Sequence, residues 1–140
     1  ASEIITTDGL IFRLLKRTGG NTMGIGEALL RTKLRTLIGP DDLYIIDPMT
    51  YHSDFKRLVG FYTDIAKKTG CRMNLDLHRL ATPTGVLRFG KKHKLIDPAK
   101  QAAWILKGRP SKRIIAERPE DVEILKEASG LPVFFVAELV

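Results

Sequence analysis

The sequence predicts an α/β fold: a small, mainly parallel sheet with flanking helices, a basic linker and a C-terminal helix. Three consecutive segments carry this prediction. Residues 41–48 form a short apolar run behind a Gly-Pro break and reach a carboxylate at Asp47, as expected for a buried strand ending at a sheet edge. A helix follows, and residues 71–77 form a second short run. A strand, a helix and a strand with short connections form a βαβ unit with parallel strands.

The helix of this unit is predicted from Ser53 to Gly70. Ser is a favourable N-cap residue, and Gly is the favoured residue just past a helix C-terminus. The apolar residues between them recur with the 3.6-residue period of one helix face. They are Phe55, Leu58, Val59, Tyr62, Ile65 and Ala66.

Two helices are expected before this unit. Thr7-Asp8 fits the cap of a helix that runs through Arg17, although a strand over residues 10–12 fits the same apolar positions. A Gly-rich loop over residues 18–26 then leads into a helix over residues 26–38. The loop matches neither the Walker A pattern nor a complete GxGxxG pattern, so a turn between helices is favoured over a phosphate-binding loop.

We divide the chain into an α/β core domain, residues 1–90, and a basic linker with a C-terminal appendage, residues 91–140. A turn at residues 82–85 and a strand at residues 86–89 are expected to complete the core. The appendage begins with exposed basic residues and is separated from the core by their charge and by glycine.

Within the appendage, two helices and a terminal strand are expected. Asp97 is a favourable N-cap for a helix that ends at Gly108. Acidic residues in the first turn favour a second helix from Pro119 to Gly130. The apolar run over residues 131–140 is rich in β-branched and aromatic side chains, which favours a strand over a short helix.

Composition limits the class of protein. The 140 residues are 44% apolar, which supports a core. The chain contains no apolar run of 18 residues, so no membrane span is predicted. The single cysteine, Cys71, can form neither an internal disulfide nor a multi-cysteine zinc site, and the N-terminus lacks a signal-peptide pattern. A cytoplasmic location is therefore expected, with Cys71 as a buried packing residue.

The net charge of +7 is concentrated in residues 79–118, which hold 11 basic and 2 acidic residues. Such a segment indicates a polyanionic partner, although a solvated surface is the alternative. Residues 107–113 contain a Gly-Arg-Pro core that can lie extended in the minor groove of DNA, or simply serve as a linker. The predicted nucleic-acid contacts are Arg88, Lys91, Lys92, Lys94, Arg109, Lys112 and Arg113.

The first functional hypothesis is a DNA-binding accessory or regulatory protein without catalysis of its own and without a cofactor. Duplex DNA is the favoured partner, because few aromatic residues lie among the basic ones to stack on single strands. An RNA-binding subunit of a ribonucleoprotein is an alternative, and homo-oligomerisation stays open.

A second hypothesis is a metal-dependent nuclease or phosphoesterase. Asp47 and Asp76 lie at or near the ends of two strands predicted to be parallel, where carboxylates could hold Mg²⁺ with His52 or His78 nearby. A simple turn at Asp47 is the alternative. The three histidines of the chain form neither an HxH nor an HExxH pattern, so a zinc site is not indicated.

The order of these segments resembles a known family. Asp47 ends one strand, residues 82–85 (Thr-Pro-Thr-Gly) follow the next, and residues 108–110 (Gly-Arg-Pro) precede a helix. This arrangement resembles the small serine recombinases (resolvases and invertases), with their Asp-Arg-x-x-Arg motif, Thr-x-Gly loop and basic hinge. Pro48 and Tyr51 stand at the two arginine positions, and no nucleophilic Ser lies in an Arg-x-Ser context. The resemblance therefore implies a non-catalytic relative that binds DNA.

Overall fold

The computed structural model describes residues 3–75 and 98–140 of the chain. Its first part is a small βαβ unit in which two short strands lie parallel, with a second helix directly after them. We refer to residues 4–30 as the N-terminal unit. Its elements are β1 (Ile4–Thr6), α1 (Gly9–Arg17), β2 (Thr22–Gly24) and α2 (Ile25–Leu30).

Helix α1 confirms the prediction made from its cap. The Asp8 carboxylate accepts hydrogen bonds from the backbone N–H groups of Leu10 and Ile11 at 2.8 and 3.1 Å, so it satisfies two donors of the first turn. The alternative strand over residues 10–12 is wrong, because this cap fixes the helix from Gly9.

The second helix is shorter than predicted. It ends at Leu30 rather than continuing to residue 38, and only a 3₁₀ turn follows at Leu34–Thr36. The Thr32 hydroxyl donates a hydrogen bond to the Leu29 carbonyl at 3.1 Å. A local bond of this kind competes with the helical ladder, which is a physical reason for the early end.

Within the described residues, the main sheet contains four parallel strands in the order β4-β3-β5-β6. Helices lie between them in the chain, as the α/β prediction requires. The elements are β3 (Asp42–Ile45), α3 (Pro48–Ser53), α4 (Phe55–Thr69), β4 (Arg72–Met73), α5 (Pro98–Leu106), β5 (Arg113–Ala116), α6 (Val122–Ser129) and β6 (Val133–Phe135).

Both faces of this sheet are buried, because successive side chains on a strand point to opposite faces. Tyr44 and Ile115 belong to a core with residues of α2 and α4. Leu43 and Ile114 belong to a second core with residues of α5 and α6. The sheet is therefore covered by helices on both sides, and the predicted α/β class is confirmed.

The predicted N-cap at Ser53 is wrong. Asp47 caps an earlier helix, α3, with Pro48 in its first turn, so Ser53 is the last residue of that helix. The Ser53 hydroxyl donates to the Met49 carbonyl at 2.6 Å instead of capping α4. Gly70 ends α4 in the left-handed conformation with a φ of 73°, as predicted.

The residues expected to form a linker include a central strand. Arg113 begins β5, which pairs with β3 on one side and β6 on the other. The main sheet thus takes β3 and β4 from before residue 90 and β5 and β6 from after it. The terminal run contains the expected strand, β6, although it ends at Phe135 and a 3₁₀ turn follows.

Other expectations have mixed outcomes. Cys71 is buried, as predicted. The turn at residues 82–85 and the strand at residues 86–89 lie outside the described residues. Within residues 3–75 and 98–140, no helix is both long and apolar enough to cross a membrane.

Candidate functional site

At the carboxyl edge of the main sheet, a crevice is expected at the point where the strand order changes direction. Along the chain, β4 is added on one side of β3 and β5 on the other, so the change falls between β3 and β5. In open α/β sheets, ligands bind in the crevice at this point. Asp47 lies two residues after β3, and Glu117 and Arg118 directly follow β5.

Glu117 is buried at this edge, and neutral donors surround its carboxylate. Oε2 accepts hydrogen bonds from the hydroxyls of Tyr44 at 2.6 Å and Tyr62 at 2.5 Å. Oε1 accepts the backbone N–H of Asp47 at 2.8 Å. Burial raises the pKa of Glu117 to about 7, although these hydrogen bonds act in the opposite direction. One side chain thereby joins β3, β5 and α4.

Asp47 is also buried and is already engaged in local structure. Its carboxylate accepts the backbone N–H of Met49 at 3.1 Å and the hydroxyl of Thr50 at 2.8 Å. Burial raises the pKa of Asp47, while the Thr50 hydrogen bond and the nearby Arg118 charge oppose the shift. The sequence offered a simple turn at Asp47 as the alternative to a metal site. The observed role of Asp47 as the N-cap of α3 is close to that alternative.

The N-terminal unit closes over this edge at two glycines. A Cβ atom on Gly26 would overlap the Glu117 carboxylate and lie 2.6 Å from the Tyr44 hydroxyl oxygen. A Cβ atom on Gly9 would lie 2.7 Å from Asp47 Oδ2. Both contacts are closer than a side chain permits, so glycine is needed for this approach.

A cleft of about 150 Å³ remains between the start of α1 and the ends of β3 and β5. Its wall carries both signs of charge, with the Arg118 guanidinium among carboxylates. Arg118 Nε lies 3.6 Å from Glu120 Oε2, and the Arg118 side chain is only 17% exposed. The lining residues are Thr7, Asp8, Gly9, Leu10, Asp47, Met49, Arg118 and Glu120.

The second feature is a surface on which two acidic side chains, Glu27 and Asp54, each form ion pairs with two basic side chains. Glu27 is buried and pairs with Arg31 at 2.7 Å and with Arg57 at 2.6 Å. Asp54 pairs with Arg57 at 2.7 Å and with Lys16 at 3.4 Å. These contacts connect α1, α2 and the start of α4 into one surface, in which the cations outnumber the acids.

Further cations lie near this network, one by a contact and the others by their positions in the sequence. Arg13 donates from Nε to the Ser53 hydroxyl at 3.2 Å. Exposed basic residues neighbour the paired ones in the sequence. We call the whole set the basic surface: Arg13, Lys16, Arg17, Arg31, Lys33, Arg35, Lys56 and Arg57.

Three predicted nucleic-acid contacts lie at or near the amino end of β5, away from the cleft. Arg113 donates from Nε and Nη2 to the Asp42 carboxylate, each at 2.9 Å, and its pKa is raised by this hydrogen bonding. Arg109 donates to the Ile105 carbonyl at 2.7 Å. Lys112 is 82% exposed and lies 3.7 Å from Asp41.

Of the remaining predicted site residues, His52 lies in α3 and is exposed. The others lie outside the described part of the chain: Asp76, His78, Arg88, Lys91, Lys92 and Lys94. Among the described residues, no group of three or more His, Cys, Asp or Glu side chains is arranged to hold a metal ion.

Sequence reasoning missed Glu117 and Glu27, although one of them had a signal. Glu117 ends the apolar run Ile114–Ala116, just as Asp47 ends the run before it. A parallel strand at residues 113–116 would have placed both acids at one edge. For Glu27 the sequence offered only the i,i+4 spacing to Arg31, which is common on exposed helix faces, because Arg57 lies 30 residues away.

Comparison with known proteins gives no family assignment. No family model matches the chain, and no curated protein or solved structure is significantly similar to it. The resemblance to the small serine recombinases stays a prediction.

Proposed function

We propose that this protein binds duplex DNA through its surface charge and has no catalysis of its own. The observation that carries the proposal is the basic surface, where Glu27 and Asp54 are each shared by two cations. The ion pairs themselves join three cations to these two acids, and the other basic residues of the surface neighbour them in the sequence, so a net positive charge is kept after the ion pairs form.

The basic surface has the charge and the hydrogen-bond donors needed to bind the phosphate backbone of DNA. Phosphates accept charge-assisted hydrogen bonds from guanidinium groups, and binding releases counterions from the DNA. The ion pairs with Glu27 and Asp54 hold Arg31 and Arg57 in place, which reduces the conformational entropy lost when they meet a ligand. The basic segment over residues 79–118 adds to the same electrostatic attraction.

The hydrogen bonding at the sheet edge favours binding over nuclease chemistry. Glu117 already accepts three hydrogen bonds, and Asp47 accepts two. Both carboxylates thus have structural partners that a metal ligand would have to replace or share.

The test is the salt dependence of DNA binding, measured by fluorescence anisotropy on a short duplex. A double variant, Arg17→Ala with Lys56→Ala, removes exposed charge from the basic surface without breaking its ion pairs. The matched control is Lys100→Ala with Lys126→Ala, which removes the same charge from exposed positions on α5 and α6. If each residue contacts one phosphate, the log–log salt slope should shrink by about 2 in the first variant only.

A slope that changes equally in both double variants would contradict a role for the basic surface. Lys112→Ala tests the predicted segment separately, because Lys112 is exposed and its loss leaves the pair of Arg113 with Asp42 intact. Incubation with supercoiled plasmid, with Mg²⁺ and with chelator, checks catalysis. Mg²⁺-dependent nicking that is lost in Asp47→Asn would overturn the non-catalytic assignment.

A further inference from the structure

The cleft at the sheet edge contains a cation with few protein partners. Arg118 is mostly buried, and within the described residues it donates no hydrogen bond and has one ion pair, the 3.6 Å contact with Glu120. A guanidinium carries five N–H donors, so Arg118 keeps donors for a molecule bound in the cleft that it lines. Its fork geometry matches a carboxylate, which accepts two parallel hydrogen bonds.

The opposite wall of the cleft supplies acceptors. Asp8 uses Oδ1 to cap α1, and Oδ2 of its exposed carboxylate has no hydrogen bond within the described residues. Asp47 is buried beside it. With Glu120, three carboxylates face one guanidinium, so the cleft has a net negative formal charge. That balance disfavours phosphates and other multiply charged anions.

The cleft is large enough for a small organic molecule. Its volume of about 150 Å³ is well above the roughly 10–15 Å³ that a single water molecule requires. The walls are mainly polar, with Leu10 and Met49 as the apolar contribution.

We propose that this cleft binds a small molecule with one carboxylate and at least one ammonium group, the chemistry of a basic amino acid. The ligand carboxylate pairs with Arg118, and its ammonium groups donate to Asp8 and Asp47. The excess of carboxylates in the cleft favours a ligand with net positive charge. This proposal does not depend on DNA binding, since the basic surface and the cleft share none of their residues.

The test uses isothermal titration calorimetry on the full chain with lysine, Nα-acetyl-lysine, lysine methyl ester and glutamate. We expect lysine to bind with a Kd of about 1 mM or lower. Capping its α-amino or its carboxyl group should each weaken binding by about tenfold or more, because each removes one charged partner. Glutamate should bind more weakly than lysine. These comparisons use the unaltered protein, so folding of a variant does not affect them.

Two variants locate the site. Arg118→Gln should weaken lysine binding by about tenfold, while lysine methyl ester, which lacks the carboxylate, should bind the variant and the unaltered protein equally. Asp8→Asn keeps a favourable N-cap but removes its charge, so it should weaken lysine and its ester alike. Lys126→Gln, at an exposed position outside both the cleft and the basic surface, is the matched control.

Three results would overturn the proposal. The first is no heat of binding for lysine at about 10 mM. The second is equal affinity for lysine and its capped derivatives, which would mean that the two charged groups are not both recognised. The third is unchanged affinity for lysine in Arg118→Gln, with circular dichroism confirming that the variant is folded.

Discussion

Two buried glutamates, Glu27 and Glu117, lie close to the same glycine and yet have opposite electrostatic character. Glu27 directly follows Gly26 in α2, and Glu117 is the side chain that Gly26 approaches. Both are almost completely buried, with 2% and 4% of their surface exposed. Burial alone would raise the pKa of both.

The groups that contact the two carboxylates explain why their pKa values shift in opposite directions. Burial raises the pKa of Glu27, but hydrogen bonds and charge from Arg57 and Arg31 outweigh it, so the pKa is lowered. Among the described residues, Glu117 has hydroxyl and amide donors but no cation in contact, so burial dominates and its pKa rises to about 7. The comparison shows that cationic neighbours, and not hydrogen bonds in general, keep a buried carboxylate ionised.

The largest expected effect on stability comes from a substitution at Gly26, the glycine that lies close to both glutamates. Gly26→Ala should lower the free energy of unfolding by about 3 kcal/mol, because its Cβ overlaps the Glu117 carboxylate and the surrounding strands allow little movement. Urea denaturation followed by circular dichroism measures this change.

The matched control is Gly60→Ala in α4, where no atom lies within 4 Å of the added Cβ. It should stabilise the protein by about 0.5–1 kcal/mol, since alanine is the better helix former. Loss of stability in both variants would mean that the close approach at Gly26 is not the cause.

The next effect is the pH dependence that Glu117 imposes. Between pH 4.5 and about 7, the native state keeps a proton that the unfolded state has already lost. Stability therefore falls as pH rises through this window, by about 3 kcal/mol in total. Asp47, whose pKa is also raised, acts in the same direction.

Glu117→Gln should flatten this profile, because the amide carries no titrating proton. Urea denaturation at pH 5, 6, 7 and 8 measures the slope for both proteins. Glu123→Gln, at an exposed position on α6, should keep the slope of the unaltered protein. If the stability of Glu117→Gln changed with pH just as that of the unaltered protein does, Glu117 would be ionised in the native state throughout this range.

The smallest effect is expected at Glu27, and its sign with pH is opposite. The lowered pKa means that Glu27 contributes stability above pH 4.5, and this contribution is lost as pH falls through the lowered value. Glu27→Gln should destabilise the protein by about 1–2 kcal/mol at pH 7, a value reduced by the partial exposure of Arg31 and Arg57.

Asp64→Asn gives the comparison for Glu27→Gln. It removes an ion pair with Lys68 in which both side chains are more than half exposed, so its effect should stay within about 0.5 kcal/mol. Equal effects of the two substitutions, measured by urea denaturation at pH 7, would mean that burial of Glu27 adds nothing to its ion pairs.

Local patterns in the sequence determined much of the fold. Asp8 predicts the start of α1, Gly70 predicts the end of α4, and the apolar runs around residues 43 and 73 predict two parallel strands. Each signal acts over a few residues, since caps and side-chain periodicity depend on neighbouring backbone groups. The α/β class follows from these local features alone.

The tertiary structure alone decided what happens at the sheet edge. Arg113 reads as part of a basic linker, yet its strand becomes central because β3 and β6 pair with it on both sides. Glu117 is held by Tyr44, which is 73 residues away in the sequence, and by the backbone of Asp47, which is 70 residues away. Strand pairing and the pKa of a buried acid depend on such distant neighbours, and no local pattern contains them.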